Sequence, residues 1–141
     1  MARIDITGLE QVDIALEDLI NAPLEEMIKA GANEVVKEQK KQAKSMLAGE
    51  YYKGDVANGV YAERPIRNKD GVSQTVTFDG TVKDAHHKKG TRVGEIAFIN
   101  EYGKQGQPAR PFVRTANAIA EDKAMKAEEE VYDNYLKSKG M

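Results

Sequence analysis

Between residues 60 and 78 the chain commits to a β-hairpin, and the rest of the sequence has to be arranged around it. Val72, Gln74, Val76 and Phe78 alternate with Ser73, Thr75 and Thr77, the period-two pattern of a strand rich in β-branched residues. Asn68-Lys69-Asp70-Gly71 just before it is a turn signal, because these residue types tolerate or favour the tight backbone conformations of a reversal. Residues 60 to 67 are therefore predicted to run antiparallel to residues 72 to 78. Pro65 falls inside the first strand, where it has no N–H to give to a ladder, so it is expected at an edge or a bulge.

On either side of the hairpin the hydrophobic period changes to that of helices. Thr7-Gly8-Leu9-Glu10 has the form of a capping box. Leu9, Val12, Leu16 and Leu19 follow at spacings of three and four, which predicts a helix near 9 to 20. Asn21-Ala22-Pro23 ends it and begins a longer helix, 23 to 47, with an apolar stripe of Leu24, Met27, Ile28, Val35, Ala43 and Met46 interrupted at Gly31. Glu25 and Glu26 in its first turns, with Lys40, Lys41 and Lys44 near its end, match the helix dipole. Those lysines read as a solvated face.

Gly49, Gly54, Asp55, Asn58 and Gly59 predict a loop over 48 to 59. The run Ile96-Ala97-Phe98-Ile99 is apolar at every position, which predicts a central strand over 93 to 99. Phe112, Ala116, Ile119, Ala127, Val131 and Tyr135 recur at near-helical spacing and predict a final helix from 111 to 137. The expectation is an α+β fold in which a small, mainly antiparallel sheet packs against a long N-terminal helix and a long C-terminal helix, as a single domain over residues 1 to 141.

Composition narrows the function. Twenty-one Lys and Arg against 23 Asp and Glu leave a formal charge of -2, too balanced for a dedicated nucleic-acid binder. The absence of Cys removes disulfides, thiol nucleophiles and Cys-based metal centres, and fits a reducing compartment. No stretch has signal-peptide form or approaches the roughly 20 apolar residues of a membrane span, so the protein is expected in the cytoplasm of the cell that makes it, away from membranes. Aromatic residues make up only 6% of the chain and none is Trp. The core must rest on Ile, Val, Leu, Met and Ala, which suits a modest domain completed by a partner.

A search for reactive groups finds none that converge. His86-His87 with Asp84 is the one metal-like cluster, but adjacent loop residues seldom aim at one ion and no third ligand has a recognisable spacing; the histidines read as solvated. Ser73 lacks the second Gly of a nucleophile elbow. Gly54 and Gly59 have the separation of a phosphate-binding loop, but Val60 stands where its Lys belongs. No catalytic residue, cofactor or metal site is expected, and the protein is read as a non-enzyme. Residues 81 to 92 are polar and basic, with Lys83, Lys88, Lys89 and Arg92 against Asp84, and predict a mobile loop able to meet phosphate or an acidic protein. No aromatic side chain is there to stack on bases. A nucleic-acid-binding or regulatory module using this loop is the alternative function.

The connection into the last helix breaks two local rules. Pro108 and Pro111 fix their own φ and push Gln107 and Arg110 toward extended conformations, stiffening a segment that a surface loop would leave free. Pro111 suits a first helical position, yet Arg110 and Arg114 place positive charge at the positive end of that helix. An offsetting carboxylate is required, either Glu101 of the same chain or one on a neighbouring subunit.

Ile96-Ala97-Phe98-Ile99, then Asn100-Glu101-Tyr102-Gly103, then Gln107-Pro108-Ala109-Arg110-Pro111-Phe112-Val113-Arg114-Thr115-Ala116 resembles the tail-completion or head-tail joining proteins of the neck of long-tailed bacteriophages. Their pattern is an apolar strand, Glu-aromatic-Gly, a short variable loop, and Pro-Ala-Arg-Pro-Phe before the last helix. The opening Ile4-Asp5-Ile6-Thr7-Gly8-Leu9 ahead of a long charged helix is similar too. After the long helix, where the family often has a Pro and a Thr-Gly-x-Leu stretch, this chain has Ala48-Gly49-Glu50-Tyr51-Tyr52-Lys53-Gly54.

The resemblance implies a structural virion protein without catalysis, assembled in the host bacterial cytoplasm. It implies a ring, with six the expected number of subunits, between the head connector or stopper and the tail terminator or tail-tube proteins. On that reading Glu101, Tyr102, Arg110 and Arg114 belong to the interface with a subunit or partner, Pro111 and Phe112 anchor the last helix, and Lys83, Lys88, Lys89 and Arg92 are available to DNA or a partner.

Overall fold

A computed structural model describes residues 23–47, 54–69, 71–83 and 88–140; the helix expected near 9 to 20, and His86 and His87, lie outside them. The elements run α1 (Leu24–Met46), α2 (Asp55–Gly59), β1 (Val60–Ala62), β2 (Ile66–Asn68), β3 (Gly71–Ser73), β4 (Val76–Phe78), β5 (Thr81–Val82), β6 (Thr91–Arg92), α3 (Val93–Tyr102) and α4 (Phe112–Ser138). The fold is α+β: two long helices with short antiparallel β-ladders packed against them.

The expected hairpin is present and is pinched in the middle. β1 pairs with β4 in the register Val60↔Phe78 to Ala62↔Val76, and β2 pairs with β3 from Ile66↔Ser73 to Asn68↔Gly71. Between the two ladders residues 63–65 oppose only residues 74–75, so the first strand carries one extra residue, as in a β-bulge. Pro65 sits in that bulge, where its missing N–H interrupts no ladder. The Glu63 N–H still donates to the Thr75 carbonyl at 2.8 Å, and the Gln74 side-chain amide closes the other side by donating to the Glu63 carbonyl at 2.7 Å.

α1 and α4 pack antiparallel, since Gly31 lies beside Glu128, Glu38 beside Lys123 and Gln39 beside Asn117. Small residues let the backbones approach: Ala32 and Ala43 on α1 and Ala116 and Ala120 on α4 are buried. Gly31, the break in the predicted stripe, is a packing position. A Cβ there would run into the Glu128 carboxylate, whose pKa is pushed up by burial.

Farther along, Glu38 is buried and accepts from Gln42 at 3.0 Å and from Lys123 at 3.3 Å. The Gln42 hydrogen bond, outweighing the cost of burial and helped by the Lys123 ammonium, holds this carboxyl below its ordinary range. Gln39 donates to Asn117 at 2.9 Å in the same layer. The apolar residues of the predicted stripe, Leu24, Met27, Ile28 and Val35, are only half-buried, so much of the helix pair is held by small side chains and a polar layer.

The apolar core lies at the end of this pair, where the last turns of α1 meet the start of α4. Ala43 and Leu47, Val56 and Ala57 of α2, Val82 of β5, Val93 and Ala97 of α3, and Phe112 of α4 form one buried cluster. The Phe78 ring packs edge-on to Phe112 with centroids 5.9 Å apart, the arrangement that aromatic quadrupoles favour.

Three expectations are corrected. Residues 93–99 are not a central strand but most of the helix α3. Its buried residues are Val93, Ala97 and Glu101, an i, i+4, i+8 series; a short apolar run has no period by itself to separate a strand from a buried helix. Phe98, placed in the core by the strand reading, is 64% exposed. The 81 to 92 segment is tied at both ends, with Thr81 opposite Arg92 and Val82 opposite Thr91, because Val82 is buried against the core. The 48 to 59 loop resolves from Asp55 into the short helix α2, with Val56 and Ala57 again in the core.

Candidate functional site

Residues 96 to 114 form a corner braced by backbone and side-chain hydrogen bonds between the end of α3 and the start of α4. α3 ends at Tyr102, and Gly103 closes it by donating to the Ile99 carbonyl at 2.7 Å. Gly103 has φ +79°, and a Cβ there would lie 2.8 Å from the Ala109 nitrogen and 2.9 Å from the Gln107 oxygen. Only Gly meets both conditions. Lys104 and Gln107 then exchange backbone hydrogen bonds of 3.0 and 2.9 Å across Gln105-Gly106, with Gly106 at φ +81° in the third position of the turn, where a type II turn needs a positive φ.

Asn100 staples this turn to the helix. Its side-chain amide donates to the Ile96 carbonyl at 2.9 Å, its side-chain oxygen accepts from Gln107 at 3.3 Å, and its backbone carbonyl accepts from the Arg110 N–H at 2.6 Å. In the sequence the one signal of this role is an amide residue closing an otherwise apolar run.

Pro111 is the N-cap of α4 and not its first helical residue. It has φ -77° and ψ 68°, and the Phe112 N–H donates back to the Arg110 carbonyl at 2.8 Å, an inverse γ-turn. A prolyl cap has no side-chain acceptor for the orphan N–H groups of the first turn. Glu101 supplies one from another helix: its two carboxylate oxygens accept from Val113 N–H at 2.8 Å and Arg114 N–H at 3.1 Å. This is the pair of donors that an N-cap side chain would ordinarily serve, and the carboxylate also offsets the positive end of the helix.

The compensating charge is therefore intramolecular and falls on the backbone, not on the arginine side chains. Among the described residues no carboxylate pairs with Arg110 or Arg114. Arg110 is half-buried and Arg114 exposed. Glu101 is only 7% exposed, whereas Tyr102 is 67% exposed with its ring 4.8 Å from that of Phe98. Phe112 is fully buried.

Of the basic residues, Lys83, Lys88 and Lys89 are exposed, and Arg92 pairs with Glu95 at 3.3 Å. An open cleft of about 720 Å³ between α1 and the hairpin is lined by Glu25, Lys29, Tyr61, Glu63, Arg64 and Gln74 among others. Partial desolvation of the otherwise exposed Tyr61 phenol, with the Glu63 and Asp79 carboxylates nearby, raises its pKa. Nothing in the cleft pairs a nucleophile with a base. Among the described residues no cluster of three or more His, Cys, Asp or Glu is placed to hold a metal ion. No helix among them is long and apolar enough to cross a membrane.

Comparison with protein-family models, with curated proteins and with solved structures finds no match.

Proposed function

We propose that the protein is a structural subunit of a phage neck, a tail-completion or head-tail joining protein that assembles as a ring between the head connector and the tail. The resemblance of residues 96 to 116 to that family supports the reading. One observation carries it: the Glu101-to-Arg114 segment builds a corner braced by its own hydrogen bonds, yet leaves Tyr102, Arg110 and Arg114 without an intramolecular partner for their polar ends among the described residues. Such a corner loses little entropy on docking, and a guanidinium fork is suited to bidentate carboxylate recognition across an interface.

Arg110→Ala tests the reading. Its side chain makes no hydrogen bond or ion pair among the described residues, so the melting temperature of the isolated subunit should stay within about 2 °C of wild type. Ring formation or docking should fail, leaving filled heads and separate tails when the variant complements a null phage. Wild-type joining by Arg110→Ala would remove Arg110 from the interface, and an unfolded subunit would show that its role lies within the chain.

A further inference from the structure

We propose that the Phe98–Tyr102 ridge, together with Arg110 and Arg114 of the segment that follows it, docks on the outer face of α4 of a second copy of this chain, around Met125. This rests on the ring reading and specifies which two surfaces meet. Phe98 and Tyr102 stand one turn apart on α3, 64% and 67% exposed, with their rings in contact. They form an apolar ridge that no other part of the described chain covers. Arg110 is tied through its N–H to the Asn100 carbonyl and Arg114 through its N–H to Glu101, so both side chains branch from backbone fixed to the last turn of α3. From 104 to 114 the chain has three cations, Lys104, Arg110 and Arg114, and no anion.

The outer face of α4 has the opposite character. Met125 is 54% exposed, and along the same outward side of the helix Glu121, Asp122, Glu129, Glu130 and Asp133 are all exposed, five carboxylates against one exposed cation, Lys126, besides the paired Lys123. Among the described residues none of these five carboxylates is ion-paired, while nearby Lys123 is committed to Glu38.

The apolar ridge on α3, followed by a segment whose charges are all positive, and an exposed methionine on a face of α4 where carboxylates outnumber cations thus occur on different elements of one chain, and charge complementarity selects a second copy as the occupant. Because the surfaces differ, the contact is heterologous: each copy uses its ridge on one neighbour and its α4 face on the other, the arrangement that closes into a ring when the rotation permits. A nucleic acid would satisfy the cations alone and leave the acidic face without a role.

Light scattering after size-exclusion chromatography, at several salt concentrations, tests this on the full chain, Phe98→Glu, Met125→Glu and an equimolar mixture of the two variants. Both substitutions are at exposed positions, and thermal melts verify that each variant folds. The wild type should associate beyond a dimer, less so at high salt. Each variant alone should remain monomeric under the same conditions, and the mixture should give a 1:1 dimer that grows no further, because one intact ridge meets one intact α4 face. Assembly of either variant to the wild-type extent overturns the proposed contact and leaves the ring reading to another surface. A mixture that stays monomeric, or a wild type that stays monomeric at its highest soluble concentration, also overturns it; the ring reading then stands or falls on the Arg110→Ala complementation.

Discussion

Replacing Glu101 by Ala removes a helix cap supplied from outside the helix. Two N–H groups, of Val113 and Arg114, lose charge-assisted hydrogen bonds of 2.8 and 3.1 Å, and Pro111 at the N-cap has no side chain to take them over. A hydrogen bond to a charged group contributes about 1.5–3 kcal/mol and an ordinary N-cap about 0.5–2 kcal/mol. Arg114 is exposed, so water recovers part of the loss at its N–H, whereas Val113 is packed against the core and recovers less.

The expected destabilisation is about 2–3 kcal/mol, a fall in melting temperature of roughly 10 °C for a chain of this size. Glu101→Gln keeps one carbonyl acceptor but loses the charge and turns an amide N–H toward one of the donors, so it should lose about half as much. Urea unfolding of the three proteins at neutral pH measures the differences, and amide exchange at Val113 and Arg114 localises them. An Ala variant within about 0.5 kcal/mol of wild type, with exchange at those two amides unchanged, would refute the capping argument.

Phe112→Ala should cost about 3–5 kcal/mol, the range for deleting a fully buried aromatic ring, because Phe112 is 0% exposed and backs onto Phe78; urea unfolding again measures it. The Glu38 carboxyl is lowered in the folded state, so its contribution is present above the ordinary carboxylate value of 4.5 and is lost as the pH falls through the lower folded value. The stability advantage of wild type over Glu38→Gln should accordingly shrink on acidification below about pH 4.5. Urea titrations at a series of pH values check this, and a difference that stays constant would contradict it. Glu128 works in the opposite sense, since its raised pKa gives a contribution that is lost as the pH rises through the folded value.

The long helices and the hairpin were legible because each carries its period over many residues and has its own boundary residues: Pro23 and Pro111 at helix starts, Asn68 to Gly71 at the turn, Pro65 at the bulge. The failure at 93–99 has a physical source in the same terms. Four consecutive apolar residues have neither period two nor period 3.6, and the decisive partners, Val93 and Ala97 against Phe112 and the end of α1, are distant in sequence. For the corner, the need for a carboxylate near Arg110 and Arg114 could be argued from the helix dipole alone, and Glu101 was among the candidates. That it would serve backbone N–H groups and leave the guanidiniums free depends on how α3 meets α4. Asn100 was missed for the same reason, since its three partners are assembled only once α3 is a helix.

Arg114 is the residue of the corner that the stability of the isolated chain explains least. It lies in the first turn of α4, where a cation opposes the dipole by about 0.3–1 kcal/mol at a surface position, and no carboxylate among the described residues compensates its side chain. Ala has the higher helix propensity and no charge. If the subunit's own stability were the only demand on position 114, Arg would be a poor residue for it. Arg114→Ala should therefore leave the isolated subunit as stable as wild type or raise its melting temperature by about 1–4 °C, while weakening self-association. A residue that helps hold the fold gives the opposite pattern, a lower melting temperature with association unchanged at saturating protein. Thermal melts and light scattering on the same samples separate the two, and a clear loss of subunit stability would place the Arg114 side chain inside the structural network of the corner.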